Sequence, residues 1–510
     1  MRSRTHRVAF VPLAALLAAV VANAVPAAPP ELDTRLSRRL RDLVLDGQSF
    51  EYARGLTEAF GPRLTGSSSY EHAAAWTVRQ FQAAGLRGAA LDAFTIEHGW
   101  ERGRVRAQIV ASPDHTGDGN AHRTLHLEPL GWTPSTPEGG VEGDVVFVRE
   151  GSGSTIVPSL VKGRIVFADG APEPSTAAMS PHGHQEFDST LREAGALAIL
   201  VADSGPGNTL TARPREYSTA IAPLPTAGIG RGDAARIRSL SARGPVRVAF
   251  EYHNRITDGP VETHNVIAEI RGRERPDEWI IVGAHLDSWD FATGAQDNAT
   301  GVAMVIEAAR AIASIGPLPR RSIRFALWGG EEQGMQGSSA YVRAHEAELD
   351  QCVAVLNTDG GTGRILGWTA PGRDDVARAV RPIARTLLAP LGAGAIDTSL
   401  EYAFDSDHAP FLRAGIPALD LNPDDSHYEA IHHKATDTLD RVDRHNLAVG
   451  AAVVAITAFA VADAPLALAP RRLFTQHALI RQPPAGRPLT GRVMMGPPLG
   501  GGALTGRAPN

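Results

Sequence analysis

The chain has 510 residues, of which 43% are hydrophobic and 21% are charged, so it can bury the cores of two or three domains and is not disordered over most of its length. Its 50 basic and 56 acidic residues give a formal net charge of −6. The body of the chain, without the arginines of the first 24 residues and of residues 464–510, is more acidic still, which argues against nucleic acid as a partner. The single cysteine, Cys352, excludes a disulfide framework and a zinc ribbon with cysteine ligands, and we expect it to be a small buried hydrophobe.

The first 24 residues have the order of a secretory signal peptide. Three arginines precede the apolar run Val8 to Val21, and Ala22-Asn23-Ala24 supplies the small residues of a cleavage site. We therefore expect export, to the periplasm or out of the cell. No later segment has 18 uninterrupted apolar residues, so the sequence predicts no membrane span after cleavage.

Residues 31–85 follow a helical pattern. In its last part, an apolar stripe predicts a helix that Ser69 begins as N-cap and Gly85 ends. The runs Leu91–Ile96 and Val105–Val110 read as short strands.

After a polar loop at residues 114–120, the chain becomes rich in strands. Strand-like runs recur at Val145–Val148, Ile165–Ala168, Ala198–Val201 and Val246–Phe250. This spacing predicts a second, β-rich domain inserted into the first.

From about residue 265 to residue 462, strands alternate with helices. Trp279–Gly283, Ile323–Leu327 and Val353–Asn357 are predicted strands, and Thr300–Ile312 is a predicted helix with one apolar face. The alternation predicts an α/β fold with a mostly parallel sheet, which binds ligands beyond the carboxyl ends of its strands. The remaining residues, 464–510, are rich in proline and glycine, which predicts a flexible tail.

Residue types that bind metal ions occur in five segments of this α/β region. In chain order they are His285 and Asp287, Asp297, Glu331 and Glu332, Asp359, and His432 and His433. Imidazoles and carboxylates without thiolates suit zinc in an open catalytic site. Five ligands, one of them bridging, would hold two metal ions about 3.5 to 4 Å apart, and a further carboxylate could transfer protons.

These motifs resemble the di-zinc exopeptidase family that includes bacterial leucyl aminopeptidases and the glutamate carboxypeptidases, and most of all its plasma glutamate carboxypeptidase branch. The resemblance rests on the segments 285–290, 328–332 and 424–433, together with the motif at 61–67, and it extends over roughly residues 36–462. It implies a mostly parallel mixed sheet flanked by helices, two zinc ions per chain, and a homodimer as a family-level expectation.

The resemblance also implies a role for each site residue. Asp297 would bridge the two zinc ions and precede a cis peptide bond to Asn298. The remaining positions are assigned as follows: His285 and Asp359 on one zinc, Glu332 and His433 on the second, Glu331 as general base, and Asp287 as the acceptor that orients His285. His433 is preferred to His432 because the family's ligand lies four residues before the Asp437-Thr438 pair.

Tyr428 and His408 are the predicted substrate-binding residues. Tyr428 could stabilise an oxyanion through its hydroxyl, with packing as the alternative, and a structural hydrogen bond is the alternative for His408. Asp437 is expected to orient a loop.

The resemblance identifies the insert, residues 119–252, as a protease-associated domain. The predicted organisation is therefore a signal peptide at 1–24, the two parts of a peptidase domain at 31–118 and 253–463, the insert between them, and the tail at 464–510. Residues 191–201 resemble the helix-to-strand core of such an insert.

The sequence thus predicts an exported zinc exopeptidase that hydrolyses dipeptides or short peptides with free ends. A broad-specificity aminopeptidase of the same family is the main alternative. Two further alternatives are a glutaminyl cyclase with one zinc ion and a receptor-like ectodomain without catalytic activity.

Overall fold

The computed structural model describes residues 33–114, 123–150, 156–169, 184–401, 403–465 and 467–472. The predicted signal peptide, most of the loop at 114–120 and most of the tail lie outside the described residues.

The described residues fold into helices and strands that are numbered in chain order. The helices are α1 (Thr34–Leu45), α2 (Ser49–Phe60), α3 (Ser68–Ala83), α4 (Pro158–Val161), α5 (Gln185–Glu193), α6 (Arg231–Ser241), α7 (Thr300–Ile315), α8 (Gln336–Ala344), α9 (Asp374–Ile383), α10 (His408–Arg413) and α11 (Arg444–Asp463). The strands are β1 (Ala90–Ile96), β2 (Gly99–Glu101), β3 (Val105–Ala111), β4 (Arg123–Thr124), β5 (Leu127–Pro129), β6 (Val141–Arg149), β7 (Ile165–Asp169), β8 (Ala198–Ala202), β9 (Thr226–Ile229), β10 (Arg247–Tyr252), β11 (Arg255–Thr257), β12 (Val261–Ile270), β13 (Arg275–His285), β14 (Arg321–Trp328), β15 (Cys352–Asn357), β16 (Ile365–Thr369), β17 (Ala395–Asp397) and β18 (Ala418–Pro423).

The helical pattern of residues 31–85 is confirmed by α1, α2 and α3, but the predicted cap of α3 is wrong. Ser67 lies directly before the helix, and its hydroxyl accepts a hydrogen bond from the main-chain N–H of Tyr70. Ser69 is the second residue of the helix and therefore lies beyond the N-cap position. Gly85 follows the helix with a φ of 96°, as expected for a residue that ends one.

The first sheet has eight strands in the order β1-β12-β14-β13-β15-β18-β16-β17. Its middle strands β14, β13, β15 and β18 run parallel. The pairs β1–β12, β12–β14 and β16–β18 are antiparallel, so the predicted mostly parallel mixed sheet is confirmed.

Helices cover both faces of this sheet. Ile280 and Val282 of β13 belong to a core shared with α1, α2, α7 and α11. Ile281, which points to the opposite face, packs in a second core with Tyr341 of α8 and Phe411 of α10. Cys352 is 3% exposed in that second core, as expected.

The helix α11 is long and apolar enough to cross a membrane by length and composition alone. In its most apolar 18-residue window, however, 72% is buried within the fold, where the helix packs on α1 and α7. That environment is typical of a core helix, which must be apolar on all sides when it is buried on all sides.

A second eight-stranded sheet has the order β4-β3-β10-β6-β7-β8-β9-β5 and contains all four strands predicted for the insert. The helix α5 leads into β8, as residues 191–201 suggest. The sheet also contains β3, which pairs with β10 and precedes the predicted boundary at residue 119. The identification of this part as a protease-associated domain stays a prediction.

The chain enters and leaves the second sheet through a narrow ribbon formed by β2 and β11. Beside this ribbon, buried side chains from both parts of the chain form one apolar cluster. We call it the junction cluster, and its members are Leu64, Trp100, Trp132, Ala212 and Trp289. The second sheet is therefore packed against the loops of the first through aromatic side chains.

Candidate metal centre

Three of the predicted ligands lie at or just beyond the carboxyl ends of parallel strands of the first sheet. His285 is the last residue of β13, Glu332 lies in the loop after β14, and Asp359 lies in the loop after β15. Asp297 lies in the π-helical turn before α7, and its peptide bond to Asn298 is cis, as the family resemblance implies. Because the carboxyl ends of parallel strands meet at one edge of a sheet, segments far apart in sequence converge at this edge.

The first half-site joins an imidazole and two carboxylates. The Nε2 atom of His285 lies 3.2 Å from Oδ1 of Asp297 and 3.4 Å from Oδ1 of Asp359. One ligand atom from each of the three residues lies within 4.8 Å of the others, which is a spacing that a metal ion could span.

The second half-site uses the other oxygen of Asp297. His433 Nε2 lies 3.4 Å from Oδ2 of Asp297 and 2.9 Å from Oε2 of Glu332. His432 Nε2 also lies 3.7 Å from the same Asp297 oxygen, so both histidines of the pair border this half-site. The choice of His433 as the ligand stays a prediction.

The unsatisfied atoms of these residues fit the two half-sites. Within the described residues of the two half-sites, three unpaired buried atoms fit a ligand role: His285 Nε2, Asp297 Oδ2 and Glu332 Oε1. His433 faces the half-site with Nε2, so its unpaired Nδ1 atom is not counted among them. Buried polar atoms are nearly always paired, so a set of unpaired nitrogen and carboxylate-oxygen atoms around one point calls for cations. Nitrogen and oxygen donors without sulfur suit zinc in a catalytic site.

Asp287 lies next to the first half-site but contacts it differently from the prediction. The Nδ1 atom of His285 lies 3.0 Å from the main-chain carbonyl of Asp287 and 3.6 Å from its carboxylate. The carboxylate instead accepts hydrogen bonds from the hydroxyl of Thr65 and the main-chain N–H groups of Glu331 and Glu332. Its position thus fixes the loop that carries both glutamates.

Two further residues hold the loop that leads to Asp297. Asp437 accepts hydrogen bonds from the N–H groups of Gln296 and Asp297 at 2.7 and 3.2 Å, in agreement with its expected role. The fully buried guanidinium of Arg63 donates to main-chain carbonyls, among them those of Leu286 and Gly294. The sequence pointed to Arg63 only through its place in the motif at 61–67, and it did not indicate which groups Arg63 would bind.

The predicted general base, Glu331, has its pKa raised well above the ordinary range. Burial is the main cause, and the negative charges of Asp359 and Glu332 add to it. Burial likewise raises the pKa of Glu332 to about 7. Burial would also raise the pKa of Asp297, but the close contact with the His285 imidazole and the charge of His433 outweigh burial and lower this pKa.

The two predicted substrate-binding residues lie in different surroundings. Tyr428 is half-buried and stacks on His432, with ring centroids 5.1 Å apart, so its ring borders the second half-site. His408 is fully buried at the start of α10, and its Nε2 atom lies 3.8 Å from Asp405. A buried position favours the structural alternative for His408, since a substrate has no access to a fully buried side chain.

The chain is similar in sequence to known peptidases. A model of peptidase family M28 matches residues 265–458. Carboxypeptidase Q of Rattus norvegicus is 30% identical over 419 residues, which cover 82% of this chain and 85% of the rat protein.

Solved structures show the same fold. A peptidase M28 precursor from Shewanella amazonensis has a TM-score of 0.71 and 27% identity, covering 86% of this chain and 98% of its own. BSAP, a zinc aminopeptidase from Bacillus subtilis, has a TM-score of 0.61 and 21% identity, covering 80% of this chain and 93% of its own.

Proposed function

Because this chain belongs to peptidase family M28, it is a metallo-exopeptidase that acts on peptides, and we propose that it hydrolyses dipeptides or short peptides with free ends by means of two zinc ions. The observation that carries the two-ion proposal is the position of Asp297. Its two oxygens face two different sets of nitrogen and oxygen donors. The zinc aminopeptidase BSAP, which shares the fold, supports the choice of metal.

The ligand sets follow from the half-sites. His285, Asp359 and one oxygen of Asp297 would hold one ion. Glu332, His433 and the other oxygen of Asp297 would hold the second. When bound, zinc supplies a Lewis acid for the scissile carbonyl and activates water as a nucleophile near neutral pH.

Glu331 performs the proton transfers in this proposal. Its carboxylate takes a proton from the attacking water and returns it to the leaving amine, which is a role for an acid whose pKa lies near the working pH. Burial raises the pKa of Glu331 in the direction that this role requires. Asp287 keeps Glu331 in place by accepting the hydrogen bond from its main-chain N–H, at 3.3 Å.

We favour a dipeptidase of the carboxypeptidase Q type over a general aminopeptidase. The support is the similarity to rat carboxypeptidase Q along 82% of this chain. Export rests on the signal-like residues 1–24, and a homodimer rests on the family resemblance alone.

The proposal is tested with the variant Glu331→Gln in the full chain. The amide cannot accept the proton, so we expect kcat to fall by about 10² to 10⁴-fold while the zinc content stays near that of the wild type. Zinc is measured by elemental analysis after dialysis, and turnover with a dipeptide library. Glu346→Gln, which changes an exposed carboxylate, is the matched control and should behave as the wild type.

Two results would contradict the proposal. Zinc near one per chain, together with cyclisation of peptides that begin with glutamine, would indicate a glutaminyl cyclase. Full function in the Glu331→Gln variant would indicate a receptor-like protein whose role does not depend on turnover.

A further inference from the structure

The imidazole of His433 is held differently from that of His285. A histidine that binds a metal ion through one ring nitrogen almost always donates its other ring N–H to an acceptor, which orients the ring. His285 has such an acceptor, because its Nδ1 atom lies 3.0 Å from the carbonyl of Asp287. The Nδ1 atom of His433 is buried and has no hydrogen-bond partner among the residues that the structure describes. The orientation of the His433 ring therefore depends on packing and on the main chain.

Trp289 packs on the His433 ring. The two ring centroids lie 6.1 Å apart and the ring planes are tilted by 60°, which is typical of aromatic side chains in contact. Trp289 is only 4% exposed, so its indole has no room to turn out into solvent. Its segment is also fixed, since the neighbouring Asp290 accepts two hydrogen bonds of 2.9 Å from the guanidinium of Arg102. Trp289 is thus a fixed wall beside the second half-site.

The second sheet presses directly on Trp289. A Cβ on Gly131 would lie only 2.7 Å from Cη2 of the indole, so the main chain at Gly131 lies against the ring and leaves no space for a side chain. Trp132 is next in the chain, and its ring centroid lies 6.4 Å from that of Trp289 in an edge-to-face arrangement. Trp132 has a φ of 55°, and a residue with a side chain keeps such a conformation only where its surroundings enforce it.

The same part of the second sheet binds the main chain of His433. Residues 203–225 connect β8 to β9, and we call them the strap. Gly131 donates a 2.9 Å hydrogen bond to the carbonyl of Arg213 in the strap, and the N–H of Ala212 donates a 2.8 Å hydrogen bond to the carbonyl of His433. His433 has a φ of 57°, which is unusual for a residue with a side chain, so this bond supports a strained position. The second sheet therefore reaches the ring of His433 through Trp289 and its main chain through the strap.

We propose that Trp289 is a positioning residue for His433, and that the second sheet, acting through Trp289, sets the zinc affinity of the second half-site. If the His433 ring turns, its Nε2 atom leaves the position that is 3.4 Å from Asp297 and 2.9 Å from Glu332. The first half-site does not share this dependence, because the carbonyl of Asp287 orients its histidine. The inference rests on the proposed pair of zinc ions and specifies what supports one of them.

The test measures zinc affinity in the full chain by competition with a chelator. Trp289→Leu should weaken the binding of one ion by about 10- to 100-fold and leave the other ion nearly unchanged, as expected when the support of a ligand is lost. Trp289→Phe, which keeps an aromatic ring, should restore part of this affinity.

A variant in the second sheet tests the same contact from the other side. Gly131→Ala removes no side chain, but its methyl group must displace the indole, so it should weaken the same ion by about 10-fold. Gly228→Ala is the matched control, because a Cβ at Gly228 of β9 would meet its nearest atom at 3.4 Å, which is an ordinary contact distance.

Two double variants identify the affected ion. Asp359→Ala removes a ligand of the first half-site, so adding Trp289→Leu should leave almost no zinc at the free concentration at which Asp359→Ala alone holds about one ion. His433→Ala removes the side chain that Trp289 supports, so adding Trp289→Leu to it should cause no further loss. Elemental analysis after dialysis measures the zinc content of each.

Folding of each variant is checked by circular dichroism. If Trp289→Leu does not fold, Gly131→Ala decides the question, because the core of that variant stays filled. Wild-type affinity for both ions in Gly131→Ala, or an equal loss of both ions in the Trp289 variants, would overturn the positioning role while leaving the two-ion proposal intact. Zinc near one per chain in the wild type would refute the two-ion proposal itself, and this inference would fail with it.

Discussion

The carboxylate of Asp297 links the two halves of the candidate metal centre. Its Oδ1 atom faces His285 and its Oδ2 atom faces His433. Asp359 belongs to the first half-site, where its Oδ1 atom lies 3.4 Å from Nε2 of His285. The two acids should therefore differ in how many ions depend on them.

We predict that Asp359→Ala and Asp297→Ala differ in zinc content. After dialysis against the same free zinc concentration, the wild type should hold about two ions per chain, Asp359→Ala about one, and Asp297→Ala fewer than one. The reason is that only Asp297 supplies a ligand to both half-sites. Elemental analysis measures the zinc, and Asp374→Ala, at an exposed acid, is the control. Equal losses in the two variants would contradict a bridging role for Asp297.

The residue types of the site could be predicted from the sequence, but their supporting contacts could not. His285, Glu332 and Asp359 each lie at or shortly after the end of a strand, so the strand pattern alone brings them to one edge. The hydroxyl that holds Asp287 comes from Thr65, which lies 222 positions earlier. No local pattern reports a contact over that distance.

At the scale of elements, the start of α7 packs directly on two loops of the metal centre. Gly301 donates its N–H to Asn298, whose side chain in turn donates to the carbonyl of Thr358. Asn298 follows Asp297, and Thr358 precedes Asp359. A Cβ on Gly301 would lie 2.6 Å from the Thr358 carbonyl oxygen and 2.3 Å from the Asn298 side chain.

We predict that Gly301→Ala weakens zinc binding by at least about 10-fold, because the methyl group must displace the backbone that places a ligand. Zinc affinity is measured by competition with a chelator, and folding by circular dichroism. Gly88→Ala is the matched control, since a Cβ at Gly88 meets no atom within 4 Å. Unchanged zinc affinity in Gly301→Ala would show that the helix start does not position the ligands.

The sequence pattern predicts which segments form strands, but not how distant strands pair. The strands predicted in both sheets are present because alternating or continuous apolar runs mark them. The sequence pattern does not predict that β3 belongs to the second sheet, because β3 joins that sheet by pairing with β10, which lies far along the chain. The predicted cap of α3 lies two residues late because Ser67 and Ser69 satisfy the same local rule.

Several acids are buried close together around the metal centre, and they lower the folding stability of the protein when zinc is removed. Burial raises the pKa of Asp437 to about 7, and it raises the pKa of Asp407 to about 8. Glu332 is affected similarly, with a pKa of about 7. Burial alone would lower the pKa of His433, but the neighbouring Glu332 raises it to about 9.

Each of these raised pKa values makes the metal-free protein less stable as the pH rises. An acid whose pKa is raised in the folded state keeps its proton while the unfolded chain loses it, so stability falls as the pH rises from about 4 to the folded pKa. A histidine whose pKa is raised stabilises the fold below its ordinary pKa of 6.5, and this stabilisation is lost as the pH rises through about 9. Bound zinc would keep its carboxylate ligands ionised and paired across this window, and its positive charge would lower the pKa of the other acids nearby, so it reduces the penalty.

We predict that the melting temperature of the protein treated with a chelator falls by several degrees between pH 5 and pH 9, whereas that of the zinc-loaded protein changes much less. The difference between the two forms should therefore widen as the pH rises, and it should close again when zinc is added back at pH 9. Thermal unfolding of both forms in the same buffers measures this difference, and Asp437→Asn, which removes one of the acids, should reduce the slope of the metal-free form. A metal-free melting temperature that stays level or rises between pH 5 and pH 9 would contradict the prediction, because the buried acids of the centre would then carry no destabilising charge.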